Sequence, residues 1–142
     1  MRHSYRGTCT CGAVQIEVTG QPDVMGYCHC RLCRTWSGAP MHAFTLWQPD
    51  AVTVIRGEEH IWTYRRTLHE PRTFCELCGG HLMTRHAPMQ MVGVQAAVIP
   101  ELAFSPQMHI NYAEAVLPLR DGLPKLRDIP MEFGGSGEVV PE

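Results

Sequence analysis

Seven cysteines in three groups are the feature that most restricts how this chain can fold. Two close pairs and one close triplet are separated by long stretches of chain, and the groups are Cys9 and Cys11; Cys28, Cys30 and Cys33; and Cys75 and Cys78. An odd number of cysteines excludes a fully paired set of disulfides. Thiols this close in sequence are typical of metal ligands, so we expect a fold that gathers these segments around metal ions.

Length and charge restrict the class of protein. The 142 residues fit one domain with its own core. The net charge of −2 and the pI of about 6.4 do not suggest a basic face for nucleic acid. No apolar run is long enough to cross a bilayer, and "MRHSYRGTCT" lacks the apolar stretch of a signal peptide. We therefore expect a cytoplasmic protein that binds neither nucleic acid nor membrane, in a reducing compartment that disfavours disulfides.

The segments between the cysteine groups mostly alternate with the period of a β-strand. In "AVQIEV" the apolar residues Val14, Ile16 and Val18 fall on one face. The segments predicted as strands are 13–18, 51–55, 60–65, 81–85 and 107–112, and the segments predicted as short helical turns are 31–39 and 99–104. We predict a mainly β single domain over residues 1–130, followed by a Gly-rich, flexible tail over residues 131–142.

The two cysteine pairs are predicted to form a structural zinc site. Cys75 and Cys78 have the C-x-x-C spacing that turns two thiolates toward one ion, and Cys9 with Cys11 supplies a second pair. A glycine directly follows each pair and permits the positive φ that aims main-chain N–H groups at sulfur. Four thiolates form the closed tetrahedron of a structural site, whose binding energy becomes folding energy. The alternative is that the four are buried free cysteines.

The remaining triplet, Cys28, Cys30 and Cys33, is predicted to hold a second zinc with an open position. Three protein ligands and one vacancy form the pattern of a catalytic zinc. Three thiolate ligands make the zinc ion soft, so a thiol suits the open position better than water, which is a hard ligand. A thiol bound there would lose its proton near neutral pH and become a nucleophile.

Residues beside the triplet are candidate substrate contacts. Arg31 and Arg34 suit the carboxylates of a small thiol, Trp36 offers a flat apolar wall, and Ser37 offers a polar contact. Other interpretations stay open. The three thiols are metal-free in the cell, or they form a redox trio, or a histidine completes a closed site as fourth ligand. The candidates for that fourth ligand are His29, His42 and His81.

The chain resembles the glutathione-dependent formaldehyde-activating enzyme family. Four blocks carry the resemblance in the family's order, from about Gly7 to Pro124: "GTCTCGAVQIEV", "YCHCRLCRTWSGAP", "RTFCELCGGHL" and "HINY…RDGLP". The resemblance implies a β-tent fold with two zinc sites and an activity like that of S-(hydroxymethyl)glutathione synthase. By motif, the two cysteine pairs match the family's structural zinc ligands. The triplet matches the zinc at which glutathione is thought to engage.

Together these observations predict a zinc-dependent carbon–sulfur lyase or synthase that acts on a glutathione-like thiol and a small aldehyde such as formaldehyde. Two zinc ions per chain are expected, the second one more weakly held. The alternative is a non-catalytic, zinc-stapled module that binds a protein partner. A nucleic-acid-binding zinc ribbon is disfavoured because 63 residues separate Cys11 from Cys75. An exposed sheet edge would allow a homodimer.

Overall fold

The computed structural model describes residues 2–142 and confirms a mainly β protein. Within those residues there are one α-helix and twelve strands. The elements are β1 (Ser4–Thr8), β2 (Gln15–Thr19), β3 (Val24–Cys28), α1 (Arg31–Ser37), β4 (His42–Trp47), β5 (Val52–Arg56), β6 (Ile61–Tyr64), β7 (Arg72–Cys75), β8 (His81–His86), β9 (Met91–Gln95), β10 (Met108–Ile110), β11 (Lys125–Leu126) and β12 (Val139–Val140). Among the described residues, no helix is both long and apolar enough to cross a membrane.

The strands belong to two compact units. The first unit comprises residues 1–23 and 45–104, and the second comprises residues 24–44 and 105–142. β4 contains the boundary between them, which falls after Phe44. The division into a domain of residues 1–130 and a flexible tail of residues 131–142 remains a prediction. In the tail segment, β12 pairs with β11.

The first unit is built from antiparallel strands. β2 pairs with β1 on one side and with β5 on the other, and β6, β7, β8 and β9 pair in sequence order. The alternation seen in the sequence explains β2, because Val14, Ile16 and Val18 are all fully buried. Gly7 is required in β1, since a Cβ atom there would lie 2.6 Å from the main-chain oxygen of Val98.

A small polar group is buried in the core of the same unit. The indole Nε1–H of Trp47 donates to Thr45 Oγ1 at 2.8 Å, and the Thr45 hydroxyl donates to the main-chain oxygen of Val94 at 2.8 Å. Both side chains are fully buried. The hydroxyl therefore satisfies the single polar atom of a large apolar side chain, which lets the tryptophan fill the core.

The second unit combines parallel and antiparallel pairs with the single helix. β10 pairs in parallel with β3 and with β11, and β11 pairs antiparallel with β12. The helix α1 begins after Cys30, whose Sγ accepts a hydrogen bond from the main-chain N–H of Cys33 at 3.2 Å. It ends at Gly38, which has the left-handed φ of +68° that favours glycine at a helix end.

The local predictions were mostly confirmed, with one error. Strands lie within or overlap all five segments predicted as strands, and α1 lies within residues 31–39. The helical turn predicted over residues 99–104 was wrong in extent: the N–H of Leu102 donates to the Ile99 oxygen at 3.1 Å and closes a single turn, but no helix forms there. The chain makes its 3-10 turn earlier, at Ala96–Val98, and Ile99 already has non-helical backbone angles. Pro100 disfavours helical angles at the residue before it, which accounts for the difference.

Candidate metal centres

The first cysteine cluster gathers four thiols within the first unit. Cys9 follows β1, Cys11 lies in the turn before β2, Cys75 ends β7 and Cys78 lies in the turn before β8. All four Sγ atoms lie within 4.8 Å of one another. Each thiol pair is carried by the connection between two adjacent antiparallel strands, β1 with β2 and β7 with β8, and the fold places Cys11 next to Cys75, 64 positions later in the sequence.

The distances in this cluster suit a tetrahedral zinc site. The Sγ of Cys11 lies 3.6 Å from that of Cys9 and 3.9 Å from that of Cys75. Ligands at about 2.3 Å from a central zinc would be separated by about 3.8 Å along each edge of a tetrahedron. Main-chain N–H groups also point at sulfur, with Val14 donating to Cys9 at 3.3 Å. The donor set and its spacing therefore fit a four-thiolate metal site.

Two glycines allow the turns that carry these thiols. Gly12 and Gly79 have φ of +81° and +74°, which residues with a Cβ rarely adopt. In the second turn the N–H of Gly80 donates to the Sγ of Cys78 at 3.4 Å. Cys9 and Cys75 are buried, whereas Cys11 is exposed. The cluster is therefore set in the core on one side and reaches the protein surface on the other.

The second cysteine cluster gathers three thiols within the second unit. Cys28 ends β3, Cys30 caps α1, and Cys33 lies in the first turn of that helix. Their Sγ atoms lie within 4.8 Å of one another, and this group of the described residues contains no histidine or carboxylate. The candidate fourth ligands His29, His42 and His81 are therefore not members of this group. The described residues offer three metal ligands here and four in the first cluster.

The electrostatics of the three thiols favour a cation. Hydrogen bonds from Cys28 and Cys33 lower the pKa of Cys30. The same hydrogen bonding to Cys30 raises the pKa of Cys28 to about 11, and hydrogen bonds with Cys28 and Cys30 raise the pKa of Cys33 far above its usual range. Without a cation, one thiolate keeps its two neighbours protonated. A divalent ion among them would let all three ionise, so the donor set fits a metal.

The segment that carries the triplet is held by hydrogen bonds on several sides. The main-chain N–H of His29 donates to the oxygen of Ile110 at 3.1 Å, and its oxygen accepts from Arg34 Nε at 3.0 Å. Asn111 Nδ2 donates to the Sγ of Cys28 at 3.4 Å. The main-chain N–H of Arg31 donates to a carboxylate oxygen of Glu114 at 3.1 Å. These contacts fix where the three thiols point.

A buried polar chain runs behind this segment. His29 Nε2 lies 2.8 Å from His109 Nδ1, and His109 Nε2 lies 2.7 Å from Asp121 Oδ2. Lys125 Nζ completes the chain at 2.6 Å from Asp121 Oδ1, and a carboxylate oxygen of Glu142 lies 3.4 Å from the same Nζ. His29, His109 and Lys125 are essentially inaccessible to solvent. The chain therefore ties the residue between two cysteines to an ion pair.

The charges within this buried polar chain affect the pKa values of Asp121 and His29. Although burial alone would raise it, hydrogen bonds from Lys125 and His109 hold the pKa of Asp121 well below its usual range. The carboxylate can only accept, so His109 donates to it from Nε2. Burial, with the nearby charges of His109 and Arg34, lowers the pKa of His29 to about 4. The Nδ1 of His29 is buried, and no described residue forms a hydrogen bond with it.

The predicted substrate contacts lie around the triplet in different settings. Arg31 is exposed, whereas Arg34 is half-buried and uses its Nε to hold the His29 oxygen. The Ser37 hydroxyl donates to the main-chain oxygen of Cys33 at 2.7 Å, which closes the end of the helix. Trp36 is half-buried on the same helix. Three of the four side chains therefore lie at least partly within the protein, and Arg31 is the exposed one.

Sequence reasoning missed the polar residues that support the triplet, namely Asn111, Glu114, Asp121 and Lys125, together with the buried His109. One signal was present: Lys125 is the only lysine beside eleven arginines. A lone lysine in such a chain is a candidate for a specific ion pair. The "HINY" and "RDGLP" blocks that carried the family resemblance contain His109, Asn111 and Asp121.

Replacing the buried lysine should test how much the buried polar chain from His29 to Lys125 stabilises the second unit. We expect Lys125→Met to lower the free energy of unfolding by about 2–3 kcal/mol, because it leaves Asp121 without its cation while that carboxylate keeps partial access to water. Arg127→Met is the matched control, since its ion pair with Glu138 is well exposed and should contribute at most about 1 kcal/mol. Urea unfolding of both variants measures the difference. Equal midpoints would contradict a structural role for the buried pair.

The fold and the two thiol clusters define a mainly β protein able to hold metal ions at two sites. The family model of the glutathione-dependent formaldehyde-activating enzyme matches residues 4–114, and the chain belongs to this family. The predicted family membership is thereby confirmed. No curated protein gives a significant match.

A solved structure supports the fold assignment. The crystal structure of a Rhodobacter sphaeroides protein is 25% identical in sequence and superposes with a TM-score of 0.58. The match covers 68% of this chain and 89% of that protein. The similarity thus extends over most of both chains.

Proposed function

We propose that this protein is a cytoplasmic, zinc-dependent enzyme that forms or cleaves the carbon–sulfur bond between a small thiol and a small aldehyde. The thiol is glutathione or a similar molecule, and formaldehyde is the simplest aldehyde that fits. In the forward direction the thiol sulfur bonds to the carbonyl carbon, the carbon–oxygen π bond breaks, and the thiol proton ends on oxygen. This reaction is a lyase-type addition that needs no redox partner.

The difference between the two cysteine clusters is the observation that carries the proposal. Four thiols satisfy a tetrahedral zinc completely, so we assign Cys9, Cys11, Cys75 and Cys78 to a structural ion. Three thiols leave one position open, so we assign Cys28, Cys30 and Cys33 to a second, catalytic ion. An open position is needed only where another molecule binds.

Zinc at the second cluster would supply Lewis acidity that lowers the pKa of an approaching thiol. The residues of the chain would supply position and charge. Asn111 and the main-chain N–H of Cys33 donate to the sulfurs of Cys28 and Cys30, which stabilises these ligands as thiolates. The buried chain from His29 to Lys125 holds the loop, so the ligands need no rearrangement when substrate arrives.

Substrate recognition is assigned to the helix that follows the triplet. The exposed guanidinium of Arg31 would pair with a carboxylate of the thiol, and Trp36 would contact its apolar part. Arg34 and Ser37 would act mainly by holding the main chain of the triplet, because their side chains donate to the oxygens of His29 and Cys33. The positive charge of Arg34 also lies close to His29, beside the triplet.

The proposal can be tested on the purified protein with its metal intact. We expect two zinc ions per chain and a faster exchange between free glutathione and its formaldehyde adduct, measured by NMR exchange spectroscopy against the uncatalysed rate. Glutathione should also perturb the absorption spectrum of protein in which cobalt replaces zinc. Two metals with no effect of any thiol on spectrum or rate would overturn the enzyme assignment and favour the non-catalytic binding module.

A further inference from the structure

The outer edge of β6 presents unpaired main-chain groups. β6 lies at the end of the strand order beside β7, and no other strand of residues 2–142 pairs with it. The N–H of Glu76 donates to the oxygen of His60 at 2.9 Å, and Ile61 lies opposite Cys75. Because hydrogen-bonding direction alternates along an antiparallel strand, Ile61 and Thr63 direct their N–H and C=O groups away from β7. The Ile61 N–H donates to the main-chain oxygen of Glu58, so the groups left for another strand are the Ile61 oxygen and the N–H and oxygen of Thr63.

Large apolar side chains accompany this edge. Trp62 is 59% exposed and Tyr64 is 45% exposed, and both point to the same face because they are two residues apart. Leu68, a few residues further on, is 83% exposed. Exposed aromatic surface beside an open strand edge favours association, and proteins normally protect such edges.

The charges around β6 have opposite signs at its two ends. Glu58 and Glu59 precede the strand, and Arg65 and Arg66 follow it, with all four residues exposed. Glu59 also lies 3.7 Å from the imidazole of His60. A second copy of the strand running in the opposite direction would bring acidic residues to basic residues at both ends. The segment is therefore complementary to itself.

We propose that β6 forms the interface of a symmetric homodimer, in which an antiparallel copy of β6 from a second chain extends the sheet. The available main-chain groups set the register: with Ile61 opposite Thr63 of the second copy, the Thr63 N–H of each chain donates to the Ile61 oxygen of the other. Trp62 then lies opposite Trp62 of the second copy, at the two-fold axis. Aromatic cross-strand pairs of this kind stabilise sheets.

The same register brings the acidic end of each strand to the basic end of the other. Glu58 and Glu59 lie in the 3-10 turn before β6 and approach Arg65 and Arg66, which follow β6 in the second copy, and symmetry repeats this contact. A slip by one residue would direct the main-chain groups wrongly, so hydrogen bonding and charge select one arrangement. The contact uses the same surface on both chains, so it closes at two subunits.

Charge reversal tests both the surface and its symmetry. We compare wild type, R65E/R66E and E58R/E59R by sedimentation velocity over a concentration series. Wild type should approach twice the 15.9 kDa mass of one chain, and each double variant should dimerise at least about 10-fold more weakly because the attraction at both ends of the interface becomes repulsion. Mixing the two variants in equal amounts should restore the dimer, since every pair then joins opposite charges.

The control is R2E/R120E, which makes the same charge change at exposed arginines outside β6 and should dimerise like wild type. Circular dichroism and zinc content establish that all variants are folded. A wild type that stays monomeric at about 100 μM, far above the dissociation constant expected of a specific dimer, would overturn the proposal. So would a dimer that neither variant weakens, or a mixture of the two variants that fails to reassociate.

Discussion

Cys75→Ser is expected to lose the metal of the first cluster and to leave the protein largely unfolded at room temperature. Structural zinc binding supplies about 10–16 kcal/mol in small zinc domains, and the net stability of a domain is about 5–15 kcal/mol. Cys75 is fully buried at the end of β7, so the variant also leaves three thiols of the cluster without their partner. Circular dichroism melting and zinc measured by mass spectrometry should both report the loss.

The matched control for this variant is Leu77→Ser. Leu77 lies between Cys75 and Cys78, is exposed and is not one of the thiol ligands. It should retain full zinc content and melt within a few degrees of wild type, since exposed surface substitutions typically change stability by no more than about 0.5 kcal/mol. A Cys75→Ser protein that keeps its zinc and melts like this control would contradict the structural assignment.

Cys33→Ala is expected to have a different effect, removing function while the fold remains. Alanine has the highest helix propensity, and the cap of α1 uses the main-chain N–H of residue 33, which the substitution keeps. The loss of one of three ligands should release the second metal and lower the thiol–aldehyde exchange rate at least about 100-fold. Zinc content should fall to one per chain, and the melting temperature should fall less than in Cys75→Ser.

Thr35→Ala supplies the control on the same helix, because the exposed Thr35 hydroxyl only donates to the main-chain oxygen of Leu32. It should keep two metals and the wild-type rate. If Cys33→Ala instead unfolds as readily as Cys75→Ser, and wild type shows no turnover, the second cluster is a structural metal site. That outcome would favour the non-catalytic binding module over the enzyme. The two variants together thus separate stabilisation from catalysis.

The sequence was most informative where one physical rule dominated. β2 was predictable because a half-buried strand alternates, and its apolar residues are indeed the fully buried ones. β4 was missed because Phe44, Thr45, Leu46 and Trp47 are all buried, so neither face is polar and no alternation results. β9 was missed for a related reason, since Gly93 interrupts its apolar run.

The cysteine clusters could be predicted from the sequence, whereas the polar residues that hold the triplet in place could not. Spacing alone sorted seven thiols into sets of four and three, and the structure brings the same sets together. The polar chain behind the triplet joins His29 to His109, 80 residues later, and then to Asp121 and Lys125. Such pairings depend on which strands become neighbours, as β3 and β10 do here, and a single sequence carries no local pattern for them.

The burial of Lys125 has a consequence for the chemical durability of the protein. Aldehydes damage proteins mainly by condensing with uncharged primary amines to form imines and methylene cross-links, and lysine is the side chain that supplies them. Here the single lysine is 1% exposed, and its ion pair with Asp121 raises its pKa against the effect of burial. The surface carries its positive charge on arginine instead. The protein therefore offers an electrophile such as formaldehyde no exposed side-chain amine to attack.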